Sequence, residues 1–217
     1  MDVDFEQLVA SVRIIPVVEI PRPEDAVPLA RALAEAGLPC AEITFRTAGA
    51  SDAIAAIAGE VSDFLVGAGT VLTVNQADEA LAAGAAFLVS PGFDAGLLRF
   101  AQERGVPMLP GVCTPTEIIM ALAHDISVVK WFPAEASGGV AYLKAVAAAF
   151  RQVRFVPTGG VSAVNLADYL ALPQVAACGG SWMVAKDLIA AGDYDRIREL
   201  TAEAVALAAA ACPAVTS

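Results

Sequence analysis

Short apolar, β-branched runs recur eight times along the chain, each separated from the next by an Ala-, Leu- and Glu-rich segment with helical spacing. The runs occupy residues 14–18, 41–46, 64–70, 86–91, 106–112, 126–132, 154–160 and 175–180. Strands that are hydrophobic almost throughout need cover on both faces, and crossover helices between parallel strands supply it. The first such helix is expected to open at Pro23-Glu24-Asp25, a good first turn, and to end before Gly37. Eight units of roughly 25 residues each suit the compact end of the eightfold barrel. No Pro/Gly/Ser-rich linker or shift in composition divides the chain. The expectation is therefore an α/β fold, a single-domain (β/α)8 TIM barrel over residues 1–217. A doubly wound open sheet is the alternative architecture. Gly67-Ala68-Gly69-Thr70 lacks the third glycine of a dinucleotide fingerprint, which argues against a nucleotide-binding version of it.

Composition narrows the function classes. A net charge of −11 disfavours nucleic acid, whose phosphates need many Lys and Arg. It leaves room for a small phosphorylated ligand, because backbone N–H groups can hold phosphate locally. The uncharged stretch 204–215 is too short for a bilayer and is broken by Pro213. The chain opens Met1-Asp2-Val3-Asp4, acidic where a signal peptide starts basic, so a cytoplasmic protein without membrane attachment is expected. Cys40, Cys113, Cys178 and Cys212 form no CxxC and read as reduced thiols. A single histidine, His124, cannot build a His-rich metal centre, and no metal or cofactor is expected. His124 precedes Asp125 at a helix end and is expected at the surface.

Side chains alternate across a strand. In residues 41–46 that rule sends Ile43 and Phe45 under the helices and turns Glu42, Thr44 and Arg46 inward. Three inward polar groups are costly unless they serve a ligand or one another. In Val128-Val129-Lys130-Trp131-Phe132 the same rule turns Lys130 inward and Trp131 toward the helices. Desolvation disfavours the charged form of an amine, and the neutral form is the nucleophile of Schiff-base chemistry. The bland alternatives are a lysine that snorkels out or one that pairs with Glu42, on the opposite wall four strands away.

Strand seven ends Pro157-Thr158-Gly159-Gly160, and strand eight ends Cys178-Gly179-Gly180-Ser181 before a helical segment. Barrels commonly hold phosphate at these two loops, where glycines allow a close backbone approach. Glu19 reads as a loop carboxylate, although inside the mouth it would repel an anionic substrate.

Six motifs in order resemble the 2-keto-3-deoxy-6-phosphogluconate aldolases nearly end to end. They are Glu42-Ile43-Thr44-Phe45-Arg46-Thr47, Gly67-Ala68-Gly69-Thr70-Val71, Ser90-Pro91-Gly92, Lys130-Trp131-Phe132-Pro133-Ala134-Glu135, Arg154-Phe155-Val156-Pro157-Thr158-Gly159-Gly160 and Gly179-Gly180-Ser181-Trp182. The resemblance implies a metal-free class I aldolase that forms pyruvate and glyceraldehyde 3-phosphate in the Entner–Doudoroff pathway. It makes Lys130 the Schiff-base lysine and Glu42 the general acid/base. Arg46 and Thr70 would hold the pyruvate carboxylate, while Pro91, Phe132 and Thr158 shape the pocket. Gly159, Gly160, Gly180 and Ser181 would bind phosphate, and the assembly would be a homotrimer. Glu135 recurs in the pattern without a chemical role. Sister aldolases for 2-keto-3-deoxy-6-phosphogalactonate or 4-hydroxy-2-oxoglutarate fit the same residues. A non-catalytic sugar-phosphate-binding barrel would keep the glycine loops but has no need of an inward lysine and glutamate.

Overall fold

The computed structural model describes residues 13–211. Cys212, Pro213 and the acidic N-terminus lie outside them. Among the described residues nine strand segments alternate with helices, except that β5 and β6 follow one another directly. The strands are β1 (Ile14–Val18), β2 (Cys40–Thr44), β3 (Leu65–Gly69), β4 (Leu88–Val89), β5 (Met108–Leu109), β6 (Gly111–Val112), β7 (Val128–Trp131), β8 (Arg154–Pro157) and β9 (Cys178–Gly180). The helices are α1 (Ala26–Glu35), α2 (Ala50–Glu60), α3 (Val74–Ala82), α4 (Ala95–Glu103), α5 (Pro115–Leu122), α6 (Gly139–Ala147), α7 (Leu166–Leu170), α8 (Lys186–Ala191) and α9 (Tyr194–Ala210).

Every strand pairing is parallel. A curled six-stranded sheet runs β5-β4-β3-β2-β1-β9, and a second sheet runs β6-β7-β8. The order climbs steadily from β1 to β5 without the reversal that marks a doubly wound sheet. The eight expected runs thus yield a parallel α/β fold with shorter strands than the apolar runs suggest. The fifth run is split at Pro110, which has no N–H to donate to a ladder.

Two hydrophobic cores divide the work. The larger one joins the outer faces of the strands to the helices, with Ile43, Trp131 and Phe155 meeting Leu29, Ile54, Leu143 and Ile197. The smaller one, Ile15, Phe87, Val89, Leu109, Val128, Val156, Ala176 and Ala177, contains no helix residue and lies on the inner face of the strands. Full burial of each Ile, Val, Leu or Phe side chain among these stabilises by about 1.5–3 kcal/mol. Helix starts are fixed locally: Thr73, Asp94, Thr114 and Asp193 each accept a hydrogen bond from an N–H of the first turn. At Thr114 the Glu117 side chain closes a capping box. The helix expected at Pro23 begins there as a 3-10 turn, Pro23–Asp25, and continues as α1. Among the described residues no helix is long and apolar enough to cross a membrane.

Candidate active site

Strand parity brings Lys130 and Glu42 together. Trp131 is fully buried against Phe155 of β8 and Tyr142 of α6, with ring centroids 5.9 and 5.4 Å away. That outward anchor leaves Lys130 only the inner face, which it shares with Val128 of the small core. On β2, Ala41 and Ile43 pack outward, so Glu42 turns in. The two side chains are almost fully buried, and Lys130 Nζ donates to Glu42 Oε1 at 3.1 Å. The ammonium also lies 5.4 Å from the Phe132 ring centroid. A buried pair of this kind is costly to break, because the surviving partner is left charged and unpaired.

Gly69 makes the arrangement possible. A Cβ there would stand 2.1 Å from Glu42 Oε1, so the carboxylate occupies the space a side chain would fill. Sequence reading rejected Gly67-Ala68-Gly69 as a dinucleotide fingerprint and otherwise took it as part of a family motif. Pairing of Thr44 with Gly69 across β2 and β3 reveals the slot.

A cavity of about 350 Å³ opens over this end of the strands. Its lining includes Arg46, Phe132, Thr158, Gly159, Gly160, Gly180 and Ser181, together with Thr44. Phe132 and Thr44 lie two residues beyond Lys130 and Glu42, so the ion pair sits one pleat deeper than the cavity floor. Thr70 and Pro91 are not among the lining residues. Thr70 follows β3 with φ +55°, a left-handed conformation rare for a β-branched residue. The backbone of Pro91 backs onto Gly111, where a Cβ would meet its carbonyl at 2.2 Å.

The three polar residues of β2 and its end find separate partners. Glu42 meets Lys130, Thr44 Oγ1 donates to the Val18 carbonyl at 2.9 Å, and Arg46 lies past the strand end, exposed and 3.9 Å from Glu19. Glu19 was expected chiefly as a loop carboxylate. It lines the cavity and takes a 2.6 Å contact from Lys186, another lining residue that sequence reasoning left aside. The signal for Lys186 was its place just beyond the Gly-Gly-Ser loop, at the first turn of α8.

The glycine loop after β8 has a scaffold of its own. Gly159 and Gly160 both adopt positive φ, +96° and +83°, a conformation glycine takes without steric cost. Their carbonyls accept from Glu135 N–H at 3.0 Å and Asn165 Nδ2 at 3.1 Å. Glu135, chemically silent in the sequence, accepts from the buried Tyr169 hydroxyl at 2.5 Å and packs its stem beneath Gly160. Burial, then the Glu135 carboxylate, pushes the Tyr169 phenol up. After β9, a Cβ on Gly179 would meet Thr158 Oγ1 at 2.3 Å, so the two strand ends nest. Away from the site, His124 lies partly exposed at the surface, where Nδ1 contacts the Met120 carbonyl at 3.0 Å and the ring meets Phe93 edge-on.

The family model described as KDPG and KHG aldolase matches residues 5–200. The chain is 56% identical over 197 residues to a 2-dehydro-3-deoxy-phosphogluconate aldolase of Treponema pallidum, covering 91% of this chain and 93% of that protein. It is 48% identical over 200 residues to the KHG/KDPG aldolase of Escherichia coli, covering 92% and 94%. A solved KDPG aldolase of Legionella pneumophila, with pyruvate captured as a covalent carbinolamine intermediate, superposes with a TM-score of 0.88. It is 41% identical and covers 91% of this chain and 96% of its own.

Proposed function

Because the chain belongs to the KDPG and KHG aldolase family, we infer that it is a class I aldolase cleaving 2-keto-3-deoxy-6-phosphogluconate to pyruvate and glyceraldehyde 3-phosphate. The observation that carries the mechanism is the buried 3.1 Å contact between Lys130 and Glu42 beneath the cavity. Lys130 gives up a proton to Glu42, and its neutral amine attacks the C2 carbonyl. Glu42 returns the proton as the carbinolamine loses water. The protonated imine then receives the electron pair of the C3–C4 bond, while the C4 hydroxyl proton leaves to Glu42 and the aldehyde departs. Protonation of the enamine at C3 and hydrolysis release pyruvate. The imine is the electron sink, so the chemistry requires no metal, and EDTA is expected to leave the rate unchanged.

Arg46 is assigned to the substrate carboxylate, with Thr70 supporting it. Pro91, Phe132 and Thr158 shape the pocket around the chain. Gly159, Gly160, Gly180 and Ser181 are assigned to phosphate. That assignment is supported by the engaged carbonyls of Gly159 and Gly160, which leave the loop's N–H groups as its donors. The family description also names KHG, so 4-hydroxy-2-oxoglutarate is the second substrate to try.

The two sheets are read as one closed eight-stranded barrel and the whole chain as one domain. Support comes from the single-residue break at Pro110 and from the Thr158–Gly179 bridge between β8 and β9. The free thiols Cys40, Cys113 and Cys178 suit a cytoplasmic enzyme. A homotrimer is the assembly the resemblance implies, and sedimentation at three times the chain mass tests it.

Trapping tests the function directly. Pyruvate with sodium borohydride should add a reduced pyruvyl group to Lys130. Labelling at Lys144 or Lys186 instead, or no adduct at all, refutes the mechanism.

A further inference from the structure

Glu19 has no part in the reaction described above, yet its surroundings give it one. The order β9-β1-β2 places the end of β1 between the ends of its two neighbours. Glu19 follows β1, Arg46 follows β2, and Lys186 opens the helix after β9. The carboxylate therefore stands between two cations, with Oε1 2.6 Å from Lys186 Nζ and Oε2 3.9 Å from Arg46 Nη1. Among the described residues these are the charged side chains that line the cavity. Glu19 is the least exposed of the three, at 23% against 49% for Arg46 and 64% for Lys186.

We propose that Glu19 is a specificity-determining residue, a built-in anion that occupies Lys186 and weakens the site's preference for a dianionic chain end. The proposal rests on the reading that substrate phosphate lies at the β8 and β9 loops. There, Lys186 is shared between Glu19 and any anion held at Gly180 and Ser181. Like charges at short range repel, and a phosphate dianion meets about twice the repulsion that a carboxylate end meets. An uncharged end meets none. The mouth thus favours a dianionic chain end over an uncharged one less strongly than a mouth with two unopposed cations would.

The test is the ratio of kcat/KM for 2-keto-3-deoxy-6-phosphogluconate to that for unphosphorylated 2-keto-3-deoxygluconate. It is measured in the wild type, in Glu19→Gln and in Glu19→Gln/Lys186→Met. Both substrates share the pyruvate end, so any effect through Arg46 cancels in the ratio. Glu19→Gln should raise the ratio roughly three- to tenfold, the scale of a charge acting among half-exposed partners. Removing Lys186 as well should bring the ratio back toward the wild-type value, because the cation that Glu19→Gln frees is then gone and only the direct repulsion by Glu19 has been relieved. An unchanged or lower ratio in Glu19→Gln, or a gain undiminished when Lys186 is also removed, overturns the proposal. Calorimetric titration with inorganic phosphate decides the same point without turnover. Glu19→Gln should bind phosphate more tightly by a similar factor, and equal affinity refutes the role. If the wild type cleaves neither substrate, the aldolase reading fails, while the phosphate titration still judges Glu19.

Discussion

Gly69→Ala adds one methyl group at the point where the site has least room. Its Cβ would lie 2.1 Å from Glu42 Oε1, 2.4 Å from Cγ and 2.6 Å from Cδ, whereas ordinary contact begins near 3.4 Å. The carboxylate must retreat by more than 1 Å or the strand must move. Glu42 is 3% exposed and pinned to Lys130, so neither movement is cheap. Overpacking of this kind costs about 1–3 kcal/mol, which in a domain of this size lowers Tm by about 2–12 °C. The larger effect falls on catalysis, where a misplacement of about 1 Å costs on the order of 10²-fold. The variant should therefore behave like Glu42→Gln, for which loss of general acid–base catalysis is worth about 10²–10⁴-fold in turnover. Pyruvate release coupled to lactate dehydrogenase measures kcat, and thermal melting confirms the fold. Borohydride trapping at Lys130 should persist, more slowly, because the amine is still present. Gly59→Ala is the control: it is an exposed position near the end of α2 where a Cβ meets nothing within 4 Å, so activity holds and stability rises by up to about 1 kcal/mol. A folded Gly69→Ala enzyme with kcat within a fewfold of wild type would refute the steric argument, and the same result in Glu42→Gln would refute the assignment of Glu42 as proton shuttle.

Ser181→Ala should raise KM for the phosphorylated substrate by roughly 10- to 150-fold, the worth of one charge-assisted hydrogen bond, and leave pyruvate affinity nearly unchanged. Arg46→Ala should do the reverse, with incomplete rescue by Lys because a point charge cannot replace a planar fork. Equal damage to both ligands from either variant would mean that the site has no separate phosphate end. Burial pushes the Cys40 and Cys178 thiols up to about 12, so iodoacetamide at pH 8 should label neither until the protein unfolds. The same shift makes stability fall as pH rises above about 9, where the unfolded thiols ionise and the folded ones do not. Rapid labelling of either cysteine in the native protein would contradict their burial.

The sequence determined what depends on near neighbours. The alternation of apolar runs with helical segments announced parallel strands under helices, because covering both faces of a strand is a local demand on composition. Strand parity alone turned Lys130 and Glu42 inward and Trp131 outward. Boundaries were less legible: the run 106–112 reads as one strand, yet Pro110 removes a ladder donor and splits it. Tertiary structure decided everything that depends on strands distant in the chain. Lys130 and Glu42 are 88 residues apart, and their contact exists because the sheets curl the two strands toward each other. The void at Gly69 is visible only once Glu42 fills it, since a missing side chain carries no sign of its neighbour. Glu19 shows the same limit most clearly. As a residue it is a solvated carboxylate after a strand, and only the order β9-β1-β2 sets it between Arg46 and Lys186. Pattern along a chain encodes which face a side chain takes, whereas what it meets there is fixed by packing between segments that the pattern does not relate.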